Sequence, residues 1–236
     1  MKTLVLPSLL LLPLPLAIAQ PDTNTNPSLS PHPNVCPQVH IFGARETTAP
    51  PGFGSAQTLV DLVTKAFPGT TSEAIDYPAA PGEQYGASVT AGIAAVVRQT
   101  EAFAALCPES VVIMHGYSQG AQIMDDAFCG GPDGSSLNST EALVSDATAA
   151  NVAAIVLMGD PRHVAGLAFN VGNATAAGFA ARPSGFSCPQ FEDRIQSYCD
   201  SPDPFCSNGS SIATHQGYGQ EYGEQALEFI LSKFIV

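Results

Sequence analysis

The sequence predicts a three-layer α/β domain in which a central parallel sheet is covered by helices on both faces. Three observations lead there. Residues 111–115 and 152–158 are nearly continuous apolar runs without period-two alternation, the pattern of strands buried on both faces. Stretches with helical apolar spacing separate such runs, so strands and helices alternate at the interval of βαβ units. Hydrophobic residues make up 45% of the 236 residues and charged residues only 12%, which excludes disorder along most of the chain and supplies a sizeable core.

The elements follow in order. Residues 1–19 read as an export signal: Lys2 gives a positive start, residues 4–16 are apolar apart from interruptions at Pro7, Pro13 and Pro15, and Ala17-Ile18-Ala19 fits a small-x-small cleavage site. Three prolines in so short a run make a poor membrane span. Residues 20–34, rich in Pro, Asn, Ser and Thr, read as a flexible tail, and residues 35–236 as one domain. Within it, 39–42 suits a strand ending at Gly43, and 55–67 a helix closed by Pro68-Gly69. A second strand is predicted over 73–77 before Pro78, and a long Ala- and Val-rich helix over 87–106. Next come the strand 111–115, a helix over 119–128 ended by Gly130-Gly131-Pro132, and the strand 152–158 ended by Gly159-Asp160-Pro161. A weaker strand is expected at 194–198 and a terminal amphipathic helix at 220–234.

Eight Lys and Arg stand against twenty-one Asp and Glu, a net charge of −13. Phosphate neutralisation needs clustered cations, so neither nucleic acid nor an anionic membrane surface is an expected partner. Six cysteines in an exported chain suggest three disulfides, with fifteen connectivities open. Neither Cys-x-x-Cys nor His-x-x-x-His occurs, so no metal is expected, and no cofactor. Asn138, Asn173 and Asn208 open N-x-S/T triplets, hints of surface loops and of glycosylation, whereas Asn26 fails because Pro27 follows.

The chemistry centres on Gly116-Tyr117-Ser118-Gln119-Gly120, a G-x-S-x-G between a predicted strand and a predicted helix. That is the context of a nucleophile elbow. The turn is tight enough to strain Ser118, and side chains at 116 and 120 would clash with it. The helix N-terminus then offers N–H groups and a positive dipole end to an oxyanion. Serine needs a base. In α/β hydrolases the acid and then the histidine follow the serine in the chain. Only His163 and His215 come after Ser118. His215 lies after the last predicted strand, on a loop just before the terminal helix, with His163 as rival. Asp160, Asp193, Asp200 and Asp203 all precede His215. Asp203 falls inside the short loop between Cys199 and Cys206, Asp160 sits at a strand end, and the two remain open at this level.

The segments 41–48 (IFGARETT), 116–120 (GYSQG), 158–162 (MGDPR), 198–206 (YCDSPDPFC) and 214–221 (THQGYGQE) together resemble the secreted fungal acetylxylan esterases, which are grouped with the cutinases in carbohydrate esterase family 5. The resemblance covers residues 35–236. It implies a cutinase-like α/β hydrolase fold, Ser118 as nucleophile, Asp203 as the triad acid in preference to Asp160, and His215 as base. Thr47 and Gln119 would form the oxyanion hole. The cysteines would pair as Cys36–Cys107, Cys129–Cys188 and Cys199–Cys206. Typical relatives carry ten cysteines; here the loop 79–86 lacks one pair, and Ala174 with Ser207 marks another. The expected protein is therefore a secreted, monomeric serine esterase acting on acetylated xylan or another ester substrate. The alternatives are a cutinase-like esterase for longer acyl chains, a catalytically dead carbohydrate-binding relative, which would have lost a triad member, and a wall structural protein, which would want repeats. A polar segment from Ser207 to Gln216 argues for acetyl over long-chain esters, against a groove formed by Phe205 and Ile212.

Overall fold

Apolar runs become strands where both of their faces find a helix to cover them. The computed structural model describes Met1 and residues 36–133, 138–139, 141–183 and 185–234; the predicted signal and tail lie outside the described residues. In chain order the elements are β1 (Val39–Ala44), α1 (Gln57–Ala66), β2 (Thr71–Ala74), α2 (Tyr85–Leu106), β3 (Val111–Tyr117), α3 (Gln119–Cys129), α4 (Asp146–Ala149), β4 (Val152–Met158), β5 (Asn170–Val171), β6 (Ile195–Tyr198) and α5 (Ile212–Ser232). The strands form a single parallel sheet in the order β2-β1-β3-β4-β6-β5.

Successive residues of each strand point to opposite faces, and both faces are apolar. Phe42, Val112, Met114, Ile155 and Leu157 pack with α2 and α3 through Val89, Ile93, Ile123 and Phe128. Ile41, Ile113, Val156, Met158 and Tyr198 pack on the other side with α1 and α5 through Leu59, Val63, Tyr218 and Ile230. Each such side chain contributes about 1.5–3 kcal/mol when fully buried.

The chain leaves β1 towards β2 on one side and returns to add β3 on the other, so β1 and β3 flank a switch point at the carboxyl edge of the sheet. Loops leaving adjacent strands in opposite directions open a crevice there, the usual ligand position in such sheets. The segment after β1 carries Thr47, and the turn after β3 carries Ser118.

Four elements differ from the sequence reading. The second strand runs over Thr71–Ala74 rather than 73–77, because the carbonyls of Ile75 and Tyr77 accept from the Arg45 guanidinium instead of extending the ladder. The terminal helix begins at Ile212, eight residues earlier than 220. Ser211 caps it, its hydroxyl accepting from the Thr214 N–H at 3.1 Å. Gly217 and Gly219 concealed this start from a propensity reading, yet Gly219, like Gly223 further along, faces α1. A Cβ on Gly219 would stand 3.1 Å from the Thr58 side chain, and one on Gly223 3.1 Å from Leu62. The glycines thus permit close helix approach at a cost in propensity. The short α4 and the two-residue β5 were not anticipated; neither is long enough to show a period. The cysteines meet as Cys36–Cys107, Cys129–Cys188 and Cys199–Cys206, and none is free among the described residues.

Candidate active site

Ser118 sits at the join between β3 and α3 with φ 55° and ψ −120°, well outside the ordinary range of an L-residue. Such strain costs about 1–3 kcal/mol and persists only where the surroundings over-determine it. Here its N–H donates to the Met158 carbonyl at 2.8 Å, and its own carbonyl accepts from the Gln122 N–H at 3.1 Å, opening α3. The flanking glycines are required for a reason other than the expected clash with the serine. A Cβ at Gly116 would lie 2.3 Å from the Gly120 carbonyl oxygen, and one at Gly120 would lie 2.2 Å from the Ala44 carbonyl oxygen. They let α3 start hard against β3 and against the end of β1.

His215 lies in the first turn of α5, not on a preceding loop. Its Nδ1 is 2.7 Å from Asp203 Oδ2. Tyr117 Oη donates to the His215 carbonyl at 2.6 Å and accepts from the Tyr218 N–H at 3.2 Å, fixing this turn against β3. Asp203 is fully buried within the loop closed by Cys199–Cys206. Its Oδ1 accepts the N–H groups of Phe205 (2.6 Å) and Cys206 (3.1 Å), and its Oδ2 also accepts Tyr218 Oη at 2.9 Å. Burial alone would raise the Asp203 carboxyl. The hydrogen bond and charge of His215, with the two backbone N–H groups, outweigh it and hold the group below its ordinary value. The result is an ionised acceptor fixed on the imidazole.

Ser118, His215 and Thr47 line one cavity of about 420 Å³, together with Glu46, Tyr85, Tyr117, Phe179, Phe205, Ile212 and Gln216. Gln119 is buried beside it. Its side chain is committed, Nε2 donating to the Ala80 carbonyl at 3.1 Å and Oε1 accepting from Ser88 Oγ at 2.8 Å, so the side chain is not free to act in the cavity. The lining is more apolar than the polar composition of residues 207–216 suggested. Ser207 is buried, Asn208 points to solvent, and Ser211 and Thr214 bond to each other in the cap; of that segment only Ile212, His215 and Gln216 reach the cavity. Phe205 stands 4.5 Å from the His215 ring, and Phe179 packs edge-on against both Tyr85 and Phe205.

The rival residues are spent elsewhere. Asp160 lies buried with Asp125, Asp126, Asp133, Arg162 and Arg182, and its Oδ1 accepts the Arg162 N–H at 2.9 Å. Burial, with the charge of Asp125, raises its carboxyl well above the usual range despite the two arginines. Asp200 binds Tyr222 Oη and the Asn173 N–H, and Asp193 is exposed beside Arg194. The His163 ring faces the backbone of Ala176 and Cys206, and burial lowers its pKa. Sequence reasoning missed Tyr218. Its position three residues after His215 puts it on the same helix face, which was the available signal. The sequon residues Asn138, Asn173 and Asn208 are all exposed. Among the described residues no three His, Cys, Asp or Glu side chains are grouped to hold a metal ion, and no helix is long and apolar enough to cross a membrane.

Comparison with known proteins accords with this geometry. The sequence profile of the Cutinase family matches residues 35–234. The chain is 51% identical over 205 residues to "Acetylxylan esterase 2" of Talaromyces purpureogenus, spanning 84% of this chain and 87% of that protein. It is 50% identical to "Cutinase 11" of Verticillium dahliae, spanning 84% of this chain and 69% of that one. The solved catalytic core domain of acetyl xylan esterase from Trichoderma reesei matches with TM-score 0.82 at 48% identity, over 84% of this chain and 100% of that chain.

Proposed function

The chain belongs to the cutinase family, whose members are carboxylic ester hydrolases, and from that premise we propose that it is a secreted, monomeric serine esterase that removes acetyl groups from xylan. The observation that carries the reading is the coupling of His215, which lines the same cavity as a strained Ser118, through its Nδ1 to a buried, ionised Asp203 behind it.

Asp203 keeps the proton of the imidazole on Nδ1, so Nε2 is the basic nitrogen. Ser118 Oγ gives its proton to that nitrogen as it bonds to the acetyl carbonyl carbon. The carbonyl oxygen becomes an oxyanion, stabilised by the Gln119 N–H at the N-terminus of α3 and by Thr47. Collapse breaks the bond to the sugar oxygen, which leaves with the proton from His215, and an acetyl-enzyme remains. Water repeats the sequence: it gives a proton to His215, attacks the acetyl carbon and releases acetate and free Ser118. Three disulfides and the exposed sequons support export, the latter as candidate N-glycan sites.

The apolar rim of Tyr85, Phe179, Phe205 and Ile212 favours a second reading, a cutinase-like esterase for longer acyl chains. Each methylene that such a rim buried would contribute about 0.8 kcal/mol, so kcat/KM would climb with chain length. Assays on acetyl, butyryl and palmitoyl esters of one chromogenic alcohol, with acetate release from acetylated xylan alongside, separate the two. The acetyl reading expects kcat/KM to fall beyond acetyl or propionyl; faster cleavage of palmitoyl esters than acetyl esters would replace it with the cutinase reading.

A further inference from the structure

We propose that Arg45 is a positioning residue of the oxyanion hole, acting through the backbone that carries Thr47; the inference rests on the reading of Ser118 as nucleophile with Thr47 and Gln119 as oxyanion donors. Arg45 follows the last residue of β1 and precedes Thr47 by two. It is buried, yet among the described residues no carboxylate lies within ion-pair distance of it. Among the described residues its guanidinium bonds only to main-chain carbonyls. Nε donates to Ala49 O at 3.0 Å, Nη1 to Ile75 O at 3.3 Å and Nη2 to Tyr77 O, with the guanidinium carbon 4.9 Å from the Tyr77 ring centroid. Tyr77 Oη returns a bond of 2.6 Å to the Arg45 carbonyl. Segment 45–49 is thus folded around its own arginine and latched to segment 75–77.

The same stretch of chain registers the other oxyanion residue. Thr48 N–H donates to Ala79 O at 2.8 Å, and Gln119 Nε2 donates to Ala80 O. Residues 75–80 therefore hold Thr47 and Gln119, which lie more than seventy positions apart in the chain, against one gauge. Thr48 (φ 67°) and Ala79 (φ 51°) are, with Ser118, the non-glycine residues with positive φ among the described residues. Strain at both ends of one hydrogen bond, next to Thr47, shows a segment held by its surroundings rather than by its own preference. Burying a cation without a carboxylate is costly, and a chain needing only a fold could fill the space with an apolar side chain. What the fork supplies is geometry, three bonds in one plane that no other side chain provides.

The test uses Arg45→Lys, Arg45→Met and the milder Tyr77→Phe, which deletes only the bond to the Arg45 carbonyl. For each, kcat and KM on an acetyl ester, the rate of inactivation by a 4-nitrophenyl alkylphosphonate, the pH profile of kcat/KM and the melting temperature are measured. Phosphonylation forms a tetrahedral centre on Ser118 and depends on the same oxyanion donors. The proposal expects kcat and the inactivation rate to fall together, about 10- to 100-fold in the arginine variants and three- to tenfold in Tyr77→Phe, with KM and the pH inflection unchanged. Lysine, keeping charge without the fork, should restore only part of the loss seen with methionine. Folded variants with wild-type kcat and wild-type inactivation, or losses seen only in melting temperature, would overturn it. If the arginine variants do not fold, Tyr77→Phe decides on the same readouts. If the wild-type enzyme is not phosphonylated at Ser118, it is the serine-esterase reading beneath the proposal that fails.

Discussion

Asp203 accepts four hydrogen bonds at once, and they act on different parts of the mechanism. The backbone bonds from Phe205 and Cys206 fix the carboxylate, and the bond to His215 fixes the imidazole tautomer. Asp203→Asn keeps the shape but loses the charge, and presents an N–H where His215 needs an acceptor. kcat should fall about 10⁴-fold with little change in KM, as expected when the wrong tautomer is held; a loss under tenfold would remove Asp203 from the triad. Tyr218→Phe deletes the remaining side-chain bond to the same oxygen. A bond to a charged acceptor contributes roughly 1.5–3 kcal/mol, part of which the other donors recover, so kcat should drop about tenfold. An unchanged kcat would show that Tyr218 only packs. Ser118 was legible as a candidate because a nucleophile elbow has a local signature, whereas the order of the triad still left His163 beside His215 and Asp160 beside Asp203, and only the family resemblance chose Asp203. Tyr218 and Arg45 were not legible, because their partners are main-chain groups or side chains that only the fold brings near.

At the scale of elements, the site depends on how closely α3 and the acid loop are held. Gly120→Ala would drive a Cβ into the Ala44 carbonyl at 2.2 Å, backbone against backbone, with no side chain to give way. It should abolish activity and lower the melting temperature sharply; a variant with wild-type melting and wild-type kcat would contradict the packing described. The Cys199–Cys206 bridge closes a loop short enough that the chain-entropy contribution is only about 2.5 kcal/mol. Replacing both cysteines by serine should therefore lower kcat before the domain unfolds, which circular dichroism and kinetics at one temperature would separate. An unchanged kcat would mean that Asn173 Oδ1, bonded to the Ser201 N–H at 2.7 Å, and Tyr222, bonded to Asp200, already hold the loop. The strands and the helices α2 and α3 were readable because burial on both sides writes itself as apolar runs. The start of α5 was not. It answers to the cap at Ser211 and to the fit of Gly219 on the surface of α1, and neither is visible in local propensity.

Over the whole molecule, buried titratable groups set how stability depends on pH. His40 and His115 are each lowered to about 4 by burial. Unfolding returns them to about 6.5, so the unfolded state takes up protons first. Their contribution is complete above that value and is lost as pH falls towards 4. Asp126 behaves in the opposite sense. Burial first, then Asp133, pushes it up to about 10 against the pull of Arg162. Its contribution is complete below the unfolded value near 3.9 and is lost as pH rises through 10. Asp126→Asn keeps a neutral, isosteric side chain beside Arg162 and removes that loss. Its melting temperature should therefore gain on the wild type steadily between pH 5 and pH 9; a difference that stays constant or shrinks would mean that Asp126 is ionised in the folded protein.

These scales converge on one claim, that Ser118 is the nucleophile of an esterase acting on acetylated xylan. Acetate release from acetylated xylan, measured for the wild type and for Ser118→Ala with melting temperatures matched, tests it most directly. The account predicts steady release by the wild type and a rate about 10⁴- to 10⁶-fold lower in the variant, with its fold intact. Release by Ser118→Ala within tenfold of the wild type would contradict it.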